Sequence, residues 1–258
     1  AARIEHPWEV ALALDSAKPD AVVNAAGRVG LPNVDWCEDH PWETWRDNAT
    51  GPAALAAVCA ERGVHLTHIG SGCIFSGPSP RTRAGLLDIG WHEDDTPNAR
   101  SLYARSKAAA DLLLGHLPGV AVVRVRMPIS DDRHPRSLPA KLAGYPAVCD
   151  AVNSVTFLRD LPDVIRRIVE ARGEGVYHAV NPGALSHREI VAAWRRHVDP
   201  MLPEPRWMTH EELVGAGLAQ RPRSHAVLSD ARLASVGARM RDAREALDVD
   251  LEIAGGRS

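Results

Sequence analysis

The stretch Val120-Ala-Val-Val-Arg-Val-Arg126 decides the fold class, because it is apolar at nearly every position. A strand that is covered by helices on both faces, as in a parallel sheet, reads as a continuous apolar run rather than an alternating one. Two further strands are predicted upstream, over residues 20–24 and over residues 64–69, where the second runs into Gly70-Ser71-Gly72. Together the three segments predict a parallel sheet.

Helical segments separate these strands. Residues 7–17, 42–62 and 101–116 are predicted as helices, the second from its apolar spacing and its closing Gly63. A polar loop over residues 77–99 has no periodicity, and loops of that length tend to be functional. Strands and helices that alternate through short turns predict an α/β fold, a doubly wound parallel sheet of the Rossmann type.

The second half of the chain mixes its elements. A helix is predicted within residues 156–172, a strand over residues 175–180, and a helix start at the capping box of residues 186–189. No Ser/Gly-rich linker separates the two halves. We therefore predict a core over residues 1–130 and a smaller mixed α/β lobe over residues 131–258 that is interleaved with the core.

The composition narrows the class of protein. Of the 258 residues, 45% are hydrophobic and 24% are charged, which is ordinary for a globular chain and argues against disorder. With 30 basic and 33 acidic side chains the net charge is −3, so no basic excess is present to bind nucleic acid. The apolar runs fall far short of the ~20 residues that cross a bilayer, so no membrane partner is predicted.

Cysteine and histidine usage argues against disulfides and metal sites. The 4 cysteines lie far apart with no C-x-x-C pair, and the 12 histidines show no H-x-x-x-H spacing, so no metal is assigned. No secretory pattern is visible at the start of the sequence. Reduced thiols are typical of the cytoplasm, and we predict a cytoplasmic protein.

The first candidate for chemistry is Tyr103-Ala-Arg-Ser-Lys107, at the start of a predicted helix. A spacing of four places Tyr103 and Lys107 on one helix face, where an ammonium lowers the pKa of a phenol from about 10. Such a phenol is suited to proton transfer to a carbonyl oxygen. A solvated helix face is the alternative explanation of the pair.

The second candidate is Gly70-Ser71-Gly72-Cys73, at the carboxyl end of a predicted strand, where ligands of open α/β sheets bind. The Ser71 hydroxyl could hydrogen-bond a substrate carbonyl there, whereas Cys73 taken alone could be a small buried residue. The order of a strand-end serine, a long loop, a Tyr-x-x-x-Lys helix and a strand is more specific than any one of these features.

This order resembles the extended short-chain dehydrogenases/reductases that act on sugar nucleotides, in which Ser or Thr, Tyr and Lys form the catalytic set. Within them the chain is most similar to the bifunctional nucleotide-rhamnose synthases, which combine a 3,5-epimerase with a 4-reductase. The matching stretches extend from near the first residue to about residue 230 and cover most of the chain. They are Asn24-Ala-Ala-Gly27, Pro32-Asn-Val-Asp-Trp-Cys-Glu-Asp-His40, Gly72-Cys-Ile-Phe75, Glu93-Asp-Asp-Thr-Pro-Asn98, Arg124-Val-Arg-Met-Pro-Ile-Ser130, Asn181-Pro-Gly183 and Ser186-His187.

The resemblance implies catalytic roles. Ser71, Tyr103 and Lys107 match the redox set: Tyr103 protonates the oxygen at sugar carbon 4 as NADPH delivers hydride to that carbon, and Lys107 holds the nicotinamide ribose and tunes Tyr103. Cys73 matches the family's epimerisation cysteine and Lys141 its lysine partner, although a solvated helix lysine is the alternative for Lys141. Removal of the protons beside the ketone gives an enolate that Ser71 and Tyr103 can stabilise.

Binding residues follow from the same resemblance. The turn Asn24-Ala25-Ala26-Gly27 and Asn48 match positions near the cofactor. The alternative is that Asn-Ala-Ala-Gly simply forms a tight turn. Arg3 lies about where an arginine could meet the 2′-phosphate of NADP, and NAD(H) is the alternative cofactor. Arg124 and Arg126 are either contacts to the substrate diphosphate or cations solvated at the strand end.

The chain departs from the family at its front end, because residues 1–17 contain no glycine. A nucleotide-binding fold normally opens with a strand and a Gly-rich turn that holds the cofactor pyrophosphate. In the family about two dozen residues precede the position of Arg3 and carry this first strand and loop. We expect the chain to be an N-terminally incomplete piece of a longer protein or a degenerate copy.

The leading interpretation is an NADPH-dependent 3,5-epimerase and 4-keto reductase that converts a nucleotide-diphospho-4-keto-6-deoxyhexose to a rhamnose-type sugar nucleotide. Residues 1–130 would bind NADP, and residues 131–258 the nucleotide-diphospho sugar. Two alternatives remain, a 4-keto reductase alone, of the dTDP-4-dehydrorhamnose reductase type, and a non-catalytic nucleotide-binding regulatory subunit of the same fold. Related reductases often pair through helices, so a homodimer is a further expectation.

Overall fold

The computed structural model describes residues 2–31, 33–83, 85 and 90–256. Its strands are β1 (Ala21–Asn24), β2 (His65–Ser71), β3 (Val120–Val125), β4 (Pro128–Ile129), β5 (Ala147–Cys149), β6 (Val152–Asn153), β7 (Thr156–Phe157), β8 (Gly175–Ala179), β9 (Leu185–Ser186) and β10 (Arg206–Met208). Its α-helices are α1 (Pro7–Ala17), α2 (Trp36–Asp39), α3 (Pro41–Trp45), α4 (Gly51–Glu61), α5 (Pro80–Arg83), α6 (Leu102–Leu114), α7 (Leu138–Ala143), α8 (Leu161–Glu170), α9 (His187–His197), α10 (His210–Gly215) and α11 (Ala243–Gly256). A π-helical turn (Arg46–Thr50) and two 3₁₀ turns (Gly72–Ile74 and Ala231–Val236) complete the described elements.

The main sheet has the strand order β1-β2-β3-β8, and every pairing in it is parallel. The predicted parallel sheet is therefore confirmed. Helices α1, α4 and α6 contribute to one apolar cluster with the sheet, around Leu14, Leu55 and Leu114. Helix α8 contributes to another cluster, around Ile168 and Tyr177. Because apolar clusters lie against both faces, the sheet is doubly covered, as the apolar run at residues 120–126 predicts.

The register of the sheet sets the position of the site. In the pairing of β2 with β3, Ser71 lies opposite Val125, and both residues end their strands. The residues that follow, Gly72 on one strand and Arg126 on the other, therefore leave the same edge of the sheet side by side. Carboxyl ends of adjacent parallel strands form the ligand-binding edge in such folds.

The second half of the chain has its own apolar cluster, built from α7, α9 and α11 around Leu142, Ile190 and Leu251. Short strand pairs flank it: β5 with β10, β4 with β7, and β6 with β9. Strand β8 of this half nevertheless completes the main sheet. The division of the chain at residue 130 stays a prediction.

Two local differences from the predicted elements matter for function. The helix predicted over residues 42–62 is broken into α3, the π-helical turn and α4, and the turn carries the fully buried Asn48. Insertion of an extra residue into a helix in this way is frequent at functional sites. Strand β2 runs to Ser71, two residues beyond its predicted end, and carries Ser71 to the edge of the sheet. Within the described ranges no helix is both long and apolar enough to cross a membrane.

Candidate active site

The candidate site forms where β2 ends. Ser71 is the N-cap of the 3₁₀ turn Gly72–Ile74, and its Oγ accepts a hydrogen bond from the Cys73 N–H at 3.2 Å. The same oxygen accepts from the Tyr103 hydroxyl at 3.4 Å. A hydroxyl oxygen has two lone pairs, so both are engaged and the Ser71 proton is left to donate. The structure thus brings together the predicted Ser71, Cys73 and Tyr103.

Tyr103 is presented by the first turn of α6. Ser101 caps this helix, with Oγ accepting from the Ala104 N–H at 3.2 Å. Burial raises the pKa of the Tyr103 phenol above its ordinary value, and the nearby Cys73 sulfur raises it further. The expected lowering of this pKa by the Lys107 ammonium is therefore wrong, because desolvation of the phenolate dominates. A phenol with a raised pKa stays protonated at neutral pH and is a proton donor there.

Lys107 lies one turn beyond Tyr103 on the inner face of α6 and is only 4% exposed. Its Nζ donates to the Ile69 carbonyl at 2.9 Å and lies 3.2 Å from His68 Nε2. Burial lowers the pKa of the Lys107 amine. His68 in turn places Nδ1 2.9 Å from Asn24 Nδ2, so the predicted Lys107 and Asn24 are joined through a histidine.

The Asn24–Gly27 turn begins at the last residue of β1 and is held by side-chain hydrogen bonds. Asn24 Oδ1 accepts from the Ala26 N–H at 3.0 Å, which closes the turn. Ala25, Ala26 and Gly27 are exposed. A Cβ on Gly27 would lie 3.3 Å from Asn48 Oδ1, so this position favours glycine. The tight turn is therefore present, and its backbone is open to a ligand.

Asn48 acts on this turn from the π-helical segment. Its Oδ1 accepts from the Arg28 N–H at 2.7 Å, and its Nδ2 donates to the Arg28 carbonyl at 2.9 Å. Nδ2 also contacts Ser106 Oγ of α6 at 3.2 Å. Asn48 thus ties the residue after Gly27 to the helix that carries Tyr103. Its predicted position near the cofactor stays a prediction.

Arg3 lies at a cavity of about 230 Å³ beside Ala26 and Gly27. Its guanidinium pairs with Glu5, with Nε 2.7 Å from Oε1, and Asp47 also lines the cavity. The structure therefore places Arg3 next to the Asn24–Gly27 turn, with its charge engaged by a carboxylate. Its role toward a 2′-phosphate stays a prediction.

The two arginines at the end of β3 have different surroundings. Arg124 is buried and pairs with Asp111, with Nε 2.9 Å from Oδ2, and its Nη1 contacts His178 Nε2 at 3.0 Å and the Glu93 carbonyl at 3.1 Å. Solvation at the strand end does not describe it, because its guanidinium is enclosed by these partners. Its predicted role toward a diphosphate stays untested, and these contacts give that role no support.

Arg126 is completely buried, so solvation at the strand end does not describe it either. Its Nη1 donates to Cys73 Sγ at 2.7 Å. Its Nη2 donates to Asn153 Oδ1 and to the Ser224 carbonyl, the latter at 2.8 Å. Arg126 therefore joins the candidate site through Cys73 rather than through a solvent-facing guanidinium.

Lys141 lies on α7 in the second half of the chain and is half-buried. Helix α7 packs against α9 and against β4, which begins two residues after Arg126. Burial and the neighbouring Arg136 lower the pKa of the Lys141 amine. Its pairing with Cys73 stays a prediction.

Sequence reasoning missed three contributors to the site: His68, Asn153 and Ser224. His68 could have been found from its position on β2, three residues before Ser71, because the carboxyl-terminal part of a parallel strand leads to the ligand-binding edge. Asn153 and Ser224 come from short segments without periodicity, and only the folded chain brings them to Arg126.

Comparisons with known proteins place this geometry in a family. The sequence matches the model of the RmlD substrate binding domain over residues 1–253. It is 37% identical over 233 residues to the bifunctional dTDP-4-dehydrorhamnose 3,5-epimerase/dTDP-4-dehydrorhamnose reductase of Arabidopsis thaliana, covering 90% of this chain and 76% of that protein. It is 31% identical over 245 residues to the dTDP-4-dehydrorhamnose reductase of Mycolicibacterium smegmatis, covering 90% of this chain and 69% of that protein.

Among solved structures, the L780 UDP-rhamnose synthase of Acanthamoeba polyphaga mimivirus superposes with a TM-score of 0.87 at 28% identity. The match covers 98% of this chain and 88% of that one. The resemblance based on the sequence motifs is thereby confirmed. The chain belongs to the family of the RmlD substrate-binding domain.

Proposed function

We propose that this protein is an NADP(H)-dependent enzyme that epimerises a nucleotide-diphospho-4-keto-6-deoxyhexose at carbons 3 and 5 and reduces it at carbon 4. The observation that carries the proposal is the convergence of Ser71, Cys73 and Tyr103 at the carboxyl end of β2. The named activities of the relatives from Arabidopsis and from the mimivirus support it.

The reduction uses the hydroxyl pair. NADPH, when bound, supplies the hydride for carbon 4. Ser71 has its lone pairs engaged and donates its proton to the ketone oxygen, which orients the sugar. Tyr103, whose raised pKa keeps it protonated at neutral pH, turns its hydroxyl hydrogen from Ser71 Oγ to that oxygen and gives up the proton as negative charge develops.

The residues present fit such a cofactor. The exposed backbone at Ala25, Ala26 and Gly27 leaves room for close approach, and a side chain at Gly27 would press on Asn48. The Lys107 amine uses its contacts to Ile69 and His68 and can offer a further hydrogen bond to a ribose hydroxyl. Arg3 would favour NADP over NAD if it exchanged Glu5 for a 2′-phosphate.

The epimerisation uses the sulfur. The hydrogens on carbons 3 and 5 are acidic because they flank the ketone. Cys73 Sγ takes one of them as a proton while the electron pair of the C–H bond moves to the oxygen at carbon 4, where Ser71 and Tyr103 stabilise the enolate. Lys141, half-buried and with a lowered pKa, acts in its ammonium form: it gives a proton to the opposite face and becomes a neutral amine.

A 4-keto reductase without epimerase activity is the second candidate. The similarity to the reductase of Mycolicibacterium smegmatis favours it, because that relative is named for reduction alone. The two candidates differ only in whether Cys73 and Lys141 act on the ring hydrogens. A binding subunit of the same fold would use none of these groups.

The experiment follows NADPH absorbance with a 4-keto-6-deoxyhexose nucleotide in D₂O and measures deuterium at carbons 3 and 5. We expect NADPH oxidation together with deuterium at both carbons. In Cys73→Ala the deuterium incorporation should fall about 10²–10⁴-fold, the usual contribution of a positioned base. Reduction of an already epimerised ketone should stay near the rate of the unchanged protein.

Cys149→Ala is the matched control, because Cys149 is a buried cysteine in the cluster with Met208 and Leu213. It should keep both activities. Oxidation of NADPH without deuterium in the unchanged protein would support the reductase alone, and a flat NADPH signal would support a binding subunit. Running the assay with uridine and thymidine diphosphate donors identifies the nucleotide. A homodimer and a cytoplasmic location stay predictions.

A further inference from the structure

Arg126 is a buried cation without a carboxylate. Its side chain is 0% exposed, and within the described part of the chain no Asp or Glu oxygen lies within salt-bridge distance of its guanidinium. The other buried arginine of β3, Arg124, has Asp111 as its counter-charge at 2.9 Å. An ionised group that is removed from water needs an opposite charge nearby.

The groups that contact Arg126 identify where that charge can come from. Asn153 and the Ser224 carbonyl offer neutral oxygens. Cys73 Sγ, 2.7 Å from Nη1, is the one contacting atom among the described residues that can carry a negative charge. Among the residues that the structure describes, none is a hydrogen-bond partner of Arg126 Nε, so the guanidinium is held by its Nη1 and Nη2 contacts.

In the described ranges, the titratable groups around the pair do not supply another charge. Tyr103 of α6 has a pKa raised by burial, and Cys37 of α2, which acts on Tyr103, also has a raised pKa. His187 of α9 lies near Arg126, and burial lowers its pKa, so that it is neutral at pH 7.

The charged side chains on the segments packed against the pair are engaged by other groups. These are Lys107 by Ile69 and His68, Asp111 by Arg124, and Arg223 by Asp35. The charge balance at this point of the fold therefore depends on the sulfur and the guanidinium.

We propose that Cys73 and Arg126 form a thiolate–guanidinium pair, in which Arg126 is the positioning residue that holds the sulfur as an anion aimed at the sugar. Asn153 and the Ser224 carbonyl hold the other side of the guanidinium. The Cys73 N–H is held by Ser71 Oγ at 3.2 Å. The Cys73 sulfur and the Ser71 hydroxyl, which binds the ketone, are thus fixed relative to each other.

The catalytic role of the Cys73–Arg126 pair rests on the proposed function. Only the thiolate can take a proton from carbon 3 or 5, because a neutral thiol would become R–SH2+, which is far too strong an acid to form at a carbon acid's expense. After the transfer, Cys73 is a neutral thiol, the negative charge lies on the oxygen at carbon 4, and Arg126 is left without a counter-charge. Transfer of the sulfur's proton back to the ring restores the pair. After Lys141 has protonated the other face instead, Cys73 loses its proton to solvent and Lys141 takes one up, which also restores the pair.

The test measures the sulfur directly, without substrate. The rate at which iodoacetamide alkylates Cys73 is followed by peptide mass spectrometry from pH 5.5 to pH 9.5, with Cys73→Ser as background. An ordinary thiol reaches half of its maximal rate near pH 8.5. We expect Cys73 of the unchanged protein to reach it at least one pH unit lower, since an opposite charge at this distance favours the anion by about 10- to 1,000-fold.

Variants assign the effect to Arg126. Arg126→Gln should lower the alkylation rate at pH 7 by about tenfold or more and leave the rate at pH 9.5 nearly unchanged, whereas Arg126→Lys should restore most of the loss. Arg241→Gln is the matched control: it removes an arginine that is paired with Asp160 and Asp250, and it should leave the Cys73 profile unchanged.

Two outcomes would overturn the proposal. One is a half-maximal pH near 8.5 in the unchanged protein, which needs no variant to fold. The other is an equal alkylation rate at pH 7 in folded Arg126→Gln. A low half-maximal pH with no deuterium incorporation from D₂O would keep the pair and reject the epimerase, whereas deuterium incorporation by an ordinary thiol would do the reverse.

Discussion

A chain of buried polar residues determines how Lys107 is held. The Ala26 N–H donates to Asn24 Oδ1, and Asn24 Nδ2 donates to His68 Nδ1. Lys107 Nζ lies 3.2 Å from His68 Nε2 and donates to the Ile69 carbonyl at 2.9 Å. Burial lowers the pKa of His68 well below its ordinary value, so the ring is neutral at pH 7. The turn next to the proposed cofactor site is thus connected to Lys107, the proposed catalytic lysine.

Replacing His68 tests this connection. His68→Leu leaves the Asn24 amide and the Lys107 amine without a shared partner, so the unfolding free energy should fall by about 1–3 kcal/mol for each stranded buried group. The rate of NADPH oxidation should fall as well, because Lys107 loses one of its two fixed contacts. Both quantities are measured, by denaturant unfolding and by absorbance.

His65→Leu is the control for this change. His65 is also buried on β2, and its Nε2 contacts the Gly173 carbonyl at 2.9 Å, at the opposite end of the strand from Ser71. It should destabilise the fold while leaving the rate of NADPH oxidation in the folded protein unchanged. Equal losses of activity in the two variants would show that His68 acts only through stability.

Helix α6 shows how an element places a residue. Ser101 caps its first turn, and Glu38 of α2 accepts the Leu102 N–H at 2.7 Å. A carboxylate at a helix N-terminus satisfies a free N–H and interacts favourably with the helix dipole. Tyr103 follows directly, so the two contacts that start the helix also set the position of its hydroxyl.

At the same scale, some elements were predictable and others were not. The helix at residues 7–17 and the capping box at Ser186 follow from local rules, and the structure has both. The contact of Cys73 with Arg126 depends on the pairing of β2 with β3, which no local pattern specifies. The break at Asn48 was missed because the apolar spacing that predicted the helix, Leu55, Val58 and Cys59, lies entirely in α4, beyond the π-helical turn.

Removing the cap of α6 tests its role. Ser101→Ala should lower the unfolding free energy by about 1 kcal/mol, since the Ala104 N–H loses its partner. Ser101→Asp keeps an acceptor at the N-cap and should retain the stability. We also expect Ser101→Ala to reduce kcat of the reduction more than it changes KM, because Tyr103 lies two residues away. An unchanged kcat at reduced stability would show that Glu38 alone fixes the start of the helix.

At the scale of the whole molecule, residues 220–224 connect the second half of the chain to the candidate site. Arg223 forms a bidentate pair with Asp35, at 2.6 and 2.7 Å, and Gln220 contacts Asp39 of α2. Ser224, the residue after Arg223, accepts a hydrogen bond from Arg126 at its carbonyl and donates its hydroxyl to the Phe75 carbonyl. Residues 220–224 therefore connect α2 with Arg126, the cation beside Cys73. Helix α2 also carries Glu38, which accepts the Leu102 N–H at the start of α6. Neither half of the chain alone contains all of these contacts.

Buried histidines make the stability of the whole molecule depend on pH. His68 and His178 have pKa values well below their ordinary value, chiefly because of burial and, next, because of Lys107 and Arg124 respectively. They stay neutral in the folded state, whereas in the unfolded state they take up protons below about pH 6.5. The unfolded state then binds more protons, so the unfolding free energy should decrease as the pH falls, by up to about 1.4 kcal/mol per pH unit for each histidine.

The slope is measured by denaturant unfolding between pH 7.5 and pH 5.5, and a variant assigns it. Burial raises the pKa of Glu93, so this carboxyl makes the unfolding free energy increase as the pH falls, opposite to the histidines. The profile of His178→Gln is therefore compared with that of the unchanged protein and not with a flat profile. Loss of the His178 titration should make the profile flatter, whereas His116→Gln, at an exposed position, should leave it unchanged. The neutral His178 ring donates from Nδ1 to the Ser229 carbonyl and accepts from Arg124 at Nε2, so protonation would place two cations in contact. A profile that is equally steep in His178→Gln would show that protonation of His178 does not contribute to the pH dependence of the unfolding free energy.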